Sequence, residues 1–115
     1  MAAEIDGLLH QLVEADATDL HLKANERPRM RVRGELIPMP GREKVSDSDL
    51  ERLLLAILNE ERLERLNNFK ECDLSYNVPG LARFRVNMFW QRAHLGAVLR
   101  VIPFNIRTID DLGLP

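Results

Sequence analysis

Arg83-Phe84-Arg85-Val86-Asn87-Met88-Phe89-Trp90-Gln91-Arg92, continued by Gly96-Ala97-Val98-Leu99-Arg100-Val101-Ile102, alternates as two strands of a β-hairpin do. Side chains 84, 86, 88 and 90 are apolar and share one face; Arg83, Arg85 and Asn87 share the other. The break between the strands is expected near Ala93 to Leu95, which sets Arg85 opposite Arg100 or one pair away from it. Two like charges facing each other across a sheet destabilise it unless an anion lies between them. Arg85 and Arg100 are therefore candidate anion ligands, with Arg83 and Arg92 as supporting residues. The plain alternative is a solvated sheet face whose arginines pair with carboxylates elsewhere, each pair contributing ~0–1 kcal/mol.

Outward from this hairpin, the period of the apolar residues marks the other elements. Ile5, Leu8, Leu9, Leu12 and Val13 form the stripe of an amphipathic helix that should end near Asp16-Ala17-Thr18. Leu20-His21-Leu22 alternates as a short strand, with Asp19 and His21 on the face opposite the leucines. Asn25-Glu26-Arg27-Pro28 reads as a loop. Met30-Arg31-Val32-Arg33 and Leu36-Ile37-Pro38-Met39 alternate on either side of a Gly34-Glu35 turn, and the prolines Pro38 and Pro40 place the second of these at a sheet edge. Ser46 is a candidate N-cap, with Asp49 in the capping-box position, for a helix buried along Leu50, Leu53, Leu54, Ile57 and Leu58. Asn59 should cap a following helix whose buried stripe is Leu63, Leu66 and Phe69. From Cys72 the period changes to two, with a Pro79-Gly80 turn between Val78 and Ala82. Strands joined by short turns pair antiparallel. The expected fold is α+β, an antiparallel sheet with helices packed on one face. Residues 104–115 show no clear period, and Ile109, Leu112 and Leu114 are candidates for docking outside the domain.

Composition limits the function classes. With 115 residues, 45% hydrophobic and 30% charged, the chain is long enough for one domain with a modest core. A formal net charge of −2 disfavours binding to nucleic acid through bulk positive potential. The basic residues are 13 Arg against 3 Lys, which favours forked recognition of carboxylate or phosphate, although Arg-rich codon usage would give the same ratio. Cys72, the single cysteine, excludes a disulfide within the chain, fits a reducing compartment, and lies in an apolar alternation suited to packing. No apolar run is long enough to cross a bilayer, and the N-terminus does not read as a signal peptide. A membrane connection would run through partner proteins.

The chemistry of a complete active site is missing from the pattern. There is no phosphate loop and no dinucleotide fingerprint. His10, His21 and His94 are widely separated and have no cysteine partner at metal-ligand spacing, so no metal site is expected. Phe89 falls on the arginine face and, if exposed, would mark a contact surface.

These motifs together resemble the N-terminal domain of the type IV pilus retraction ATPases, the PilT/PilU group of the secretion-ATPase superfamily. The likeness rests on Thr18-Asp19-Leu20-His21-Leu22, Arg31-Val32-Arg33-Gly34-Glu35-Leu36, Asp73-Leu74-Ser75-Tyr76 and, most specifically, Pro79-Gly80 through Asn87. Gln91, Gly96-Ala97-Val98-Leu99-Arg100 and Ile109-Asp110-Asp111-Leu112-Gly113-Leu114-Pro115 extend it. Asn25-Glu26-Arg27-Pro28 and Arg33 depart from the family pattern and bear on loop shape.

The resemblance implies that residues 1–103 form a PAS-like N-terminal domain. Residues 104–115 would begin a linker to a C-terminal RecA-like ATPase domain absent from this chain. It implies a cytoplasmic homohexamer in which this domain packs on the neighbouring subunit's ATPase domain and Arg85 and Arg100 reach the γ-phosphate of ATP. Hydrolysis of ATP with Mg2+ would then drive pilus retraction and twitching motility, through an inner-membrane platform protein as partner. Asp19 and His21 are candidate interface residues. The isolated chain is expected to bind no cofactor or metal, to perform no catalysis, and to contact neither nucleic acid nor the bilayer directly. Three alternatives stand beside this reading: an assembly-type ATPase of the same superfamily, a stand-alone PAS-like ligand sensor, and an RNA-binding sheet using Phe89.

Overall fold

The computed structural model describes residues 4–103. The elements in chain order are α1 (Asp6–Glu14), β1 (Asp19–Leu22), β2 (Arg29–Val32), β3 (Glu35–Pro38), α2 (Asp47–Leu55), α3 (Glu60–Phe69), β4 (Glu71–Val78), β5 (Ala82–Gln91) and β6 (His94–Ile102). The expected linker at 104–115, with Ile109, Leu112 and Leu114, lies outside the described residues.

The six strands form one antiparallel sheet in the order β3-β2-β1-β6-β5-β4. The fold is α+β, as the periodicity predicts. Strand alternation sends Leu20, Leu22, Met30, Cys72, Leu74, Phe84, Val86, Met88, Ala97 and Leu99 to one face. There they share a core with Ile5, Leu9 and Leu12 of the α1 segment, Leu50 and Leu54 of α2, and Leu66 of α3. The opposite face carries no helix among the described residues and is mostly polar. The core is apolar throughout; the one buried charged residue among those described, Asp19, is on the open face.

Local chemistry starts and stops the helices. Ser46 Oγ accepts from the Asp49 N–H at 3.2 Å, capping α2. The Asp49 carboxylate turns to Arg52 at 2.8 Å instead of back to the cap, so only half of the expected capping box forms. Asn59 Oδ1 accepts from the Arg62 N–H at 2.8 Å and caps α3. That helix ends on Lys70, held at φ 64°, where the chain reverses into β4.

The expected buried stripe of α3 is corrected. Leu66 is fully buried, but Leu63 and Phe69 are 36% and 69% exposed. Each step of three residues falls about 60° short of a full turn. Leu63 and Phe69 therefore lie on either side of Leu66, away from the core. Phe69 stands instead beside the Arg65 guanidinium, 5.5 Å from the ring centroid.

Two tight turns set the registers. Arg33 and Gly34 have φ of 52° and 82°, which moves the β2–β3 turn one residue earlier than expected. Arg92 and Ala93, at φ 53° and 68°, make the same kind of turn between β5 and β6 without Asn or Gly. The closing pair is then Gln91 with His94, and β6 begins at His94, earlier than the break expected near Ala93 to Leu95. Counting back along the ladder, Arg85 falls directly opposite Arg100.

Tyr76 ties β4 to α1 by donating to Asp6 Oδ1 at 2.6 Å. Burial first, and the Asp6 hydrogen bond and charge second, push its phenol pKa from 10.0 up to about 12. The folded state therefore retains a proton that the unfolded chain loses near pH 10. This contribution is complete below pH 10 and lost as the pH rises to about 12. Urea unfolding followed from pH 9 to 12 should show stability falling across that window, and Tyr76→Phe should flatten the fall. Equal slopes in the two proteins would rule out Tyr76 as the cause.

Candidate functional site

The open face of the sheet is organised as rows, because side chains opposite one another on neighbouring strands project together. One row crosses four strands: Arg31 on β2, Asp19 on β1, Arg100 on β6 and Arg85 on β5. The carboxylate of Asp19 lies between two guanidinium groups. Its Oδ2 accepts from Arg31 Nε at 3.3 Å and its Oδ1 from Arg100 Nε at 3.4 Å. Arg31 also donates through Nη1 to the Gly34 carbonyl at 3.1 Å. Asp19 is 6% exposed, whereas the Arg100 side chain is 68% exposed.

Arg85 is different. It is exposed and has no ion pair among the described residues. Its neighbour on the β4 side is Ser75. The nearest acids on β4, Glu71 and Asp73, both accept from Asn87 Nδ2 at 2.9 Å. Asn87 thus engages the carboxylates that a simple solvated-face arrangement would give to Arg85. The like-charge pair is half compensated: among the described residues Arg100 has a carboxylate and Arg85 has none. Two guanidinium groups on adjacent strands, with donors directed to solvent, suit an anion bearing several oxygens.

The supporting arginines separate. Arg83 sits one step along β5 on the same face, exposed, opposite Ile102. Arg92 lies in the β5–β6 turn, about 23 Å along the strand from Arg85 at ~3.3 Å per residue. There it lines a cleft of about 270 Å³ with Lys23, Phe89, His94 and Gly96. The sequence-based expectation that Arg92 is near the pair is corrected, since an extended strand carries it to the far end of the hairpin.

His21 shares the open face with Asp19, its Nε2 3.9 Å from Asp19 Oδ2 and without a hydrogen-bond partner. Burial lowers its pKa below the usual imidazole value, against the pull of Asp19 and assisted by Arg31, Arg29 and Lys23. Phe89 is half-buried rather than a free platform. Its ring lies over Gly96, where a Cβ would stand 2.9 Å from Cε1. Cys72 is 1% exposed, and burial raises its thiol pKa, as befits an inert packing residue.

Arg31 is the site residue that sequence reasoning missed. Alternation places it on the open face, but only the β2-β1-β6 strand order makes it the second partner of Asp19. Among the described residues, no group of three or more His, Cys, Asp or Glu side chains is arranged to hold a metal, and no helix is long and apolar enough to cross a membrane.

No protein-family model matches the chain. It is 38% identical over 113 residues to the type IV pilus retraction ATPase PilT of Pseudomonas aeruginosa, covering 96% of this chain and 32% of that protein. It is 34% identical over 112 residues to the type IV pilus ATPase PilU of the same organism, covering 97% of this chain and 29% of that protein. The fold superposes on a crystal structure of the pilus retraction motor PilT with bound ADP at a TM-score of 0.83 and 28% identity. That match covers all of this chain and 33% of the other. The chain thus spans about a third of the length of these relatives.

Proposed function

Starting from a chain that belongs to the secretion ATPase family, as the counterpart of the N-terminal region of PilT/PilU-type pilus ATPases, we propose that it is the regulatory and assembly domain of a hexameric pilus retraction motor. Residues 1–103 form this domain, and 104–115 lead toward a RecA-like motor domain that holds the phosphate loop and the Mg2+ ligands. The domain contributes Arg85 and Arg100 to an ATP molecule bound at its border with a motor domain. It performs no hydrolysis itself.

The observation that carries this reading is the directly opposed pair Arg85 and Arg100, with Arg85 in no ion pair among the described residues. A γ-phosphate offers charged oxygens to both forks, and charge-assisted bonds of this kind are about twice as strong as neutral ones. Hydrolysis and phosphate release remove that anion and restore the like-charge repulsion. The domain then no longer favours the closed arrangement, which couples chemistry to domain rotation and so to pilin removal. On this reading the protein works on the cytoplasmic side of the membrane and reaches the pilus base through a platform protein. The test is ATP turnover of the full-length protein with both arginines changed to glutamine. Unchanged turnover would overturn the proposal.

A further inference from the structure

The geometry points to Asp19 as the positioning residue that aims Arg100, through a bond to Nε that leaves the terminal fork free for phosphate. This rests on the reading of Arg85 and Arg100 as phosphate ligands.

A guanidinium has five N–H donors, and a carboxylate usually takes it by two of them at once. Asp19 does not take Arg100 that way. Its bond is to Nε, at 3.4 Å, and the side chain of Arg100 stays 68% exposed. Both Nη groups are thereby left without a protein acceptor among the described residues. Arg31 explains why the carboxylate stays where it is. It holds the other oxygen, Oδ2, at 3.3 Å and is itself fixed by the Gly34 carbonyl at 3.1 Å. Asp19 is 6% exposed, on β1 between the two strands that carry its partners, so it has little freedom to move toward the end of Arg100. A carboxylate free to swing would close over the Nη groups and compete with phosphate.

A long side chain on an open sheet face otherwise samples many rotamers, and ordering it costs up to about 2 kcal/mol. A tether at Nε meets much of that cost before nucleotide arrives. Arg85 has no such tether among the described residues, so the two arginines divide the work: Arg100 is presented and Arg85 closes. A purely neutralising Asp19 has the opposite consequence, since removing its charge would strengthen anion binding. The two roles therefore differ in sign.

The experiment measures ATP and ADP affinities of the full-length motor by isothermal titration, and reads the ATP-over-ADP preference, which isolates the γ-phosphate. Asp19→Asn should lower that preference about tenfold, the size of one lost charge-assisted hydrogen bond, despite making the face more positive. Arg100→Lys should lower it too, because an ammonium carries all its donors on one terminal nitrogen and has no counterpart of Nε, so Asp19 and phosphate would compete for the same atom. Adding Asp19→Asn to Arg100→Lys should then raise the preference, freeing the ammonium. A structural role for Asp19 would not reverse sign between the two backgrounds. An unchanged or increased preference in Asp19→Asn alone overturns the inference. If that variant does not fold, Arg100→Lys at its exposed position decides, and an unaltered preference there overturns it equally. Arg100→Gln separates the two levels. If it leaves the preference intact, the phosphate reading itself fails; if it abolishes the preference while Asp19→Asn does not, only the role of Asp19 fails.

Discussion

Changing Arg85 and Arg100 together to glutamine should slow ATP turnover of the full-length motor by about a thousandfold, the lower end of what donated arginines contribute to phosphoryl transfer. The domain itself should not suffer. Arg85 has no ion pair to lose among the described residues, and the buried Asp19 that loses Arg100 keeps its bond to Arg31. Two like charges that face each other across β5 and β6 are removed at the same time. Thermal unfolding of the 115-residue chain should therefore be unchanged within a few degrees, while phosphate release by the full-length motor falls. A variant that unfolds would show the pair to be structural. One that folds and hydrolyses ATP normally would show it to be ordinary surface.

Phe84→Ala should have the largest effect on stability. Phe84 is fully buried on β5, paired with Tyr76 on β4 and Val101 on β6. Phe-to-Ala changes in packed cores cost about 3–5 kcal/mol, because the cavity collapses only partly. Domains of this size have total stabilities of about 5–15 kcal/mol. At roughly 4–8 °C per kcal/mol, the melting temperature should drop by at least about 12 °C. Urea or thermal unfolding checks this, and a loss under about 1 kcal/mol would mean that β5 does not present its even-numbered side chains to the core. Because the same strand carries Arg85 on its other face, the loss should extend to nucleotide-dependent function.

The hairpin shows how far the sequence reaches. Alternation in Arg83 to Gln91 places Phe84, Val86 and Met88 inward and Arg83, Arg85 and Asn87 outward, and the structure agrees at each of these positions. The register is another matter. The turn at Arg92 and Ala93 uses two left-handed residues that carry none of the Asn or Gly signal of such turns, so periodicity alone sets the break too far toward Leu95. In α3 the residue types predict the helix that forms, but spacing by threes cannot keep Leu63, Leu66 and Phe69 on one narrow stripe. Phe89 was legible as a residue of the arginine face; its contact with Gly96 follows only from their being opposite in the ladder.

The sequence by itself determined which elements exist, which face the strand side chains take, and that Arg85 and Arg100 share one. Those are consequences of backbone geometry repeated every two or 3.6 residues, and they need no knowledge of distant chain. Tertiary structure alone decided that the first and last strands, β1 and β6, lie side by side at the centre of the sheet. That pairing brings Asp19 to Arg100 across 81 residues and adds Arg31 from the other side. Such neighbours are chosen by strand order and register, through closure of the whole core, and no local period records them.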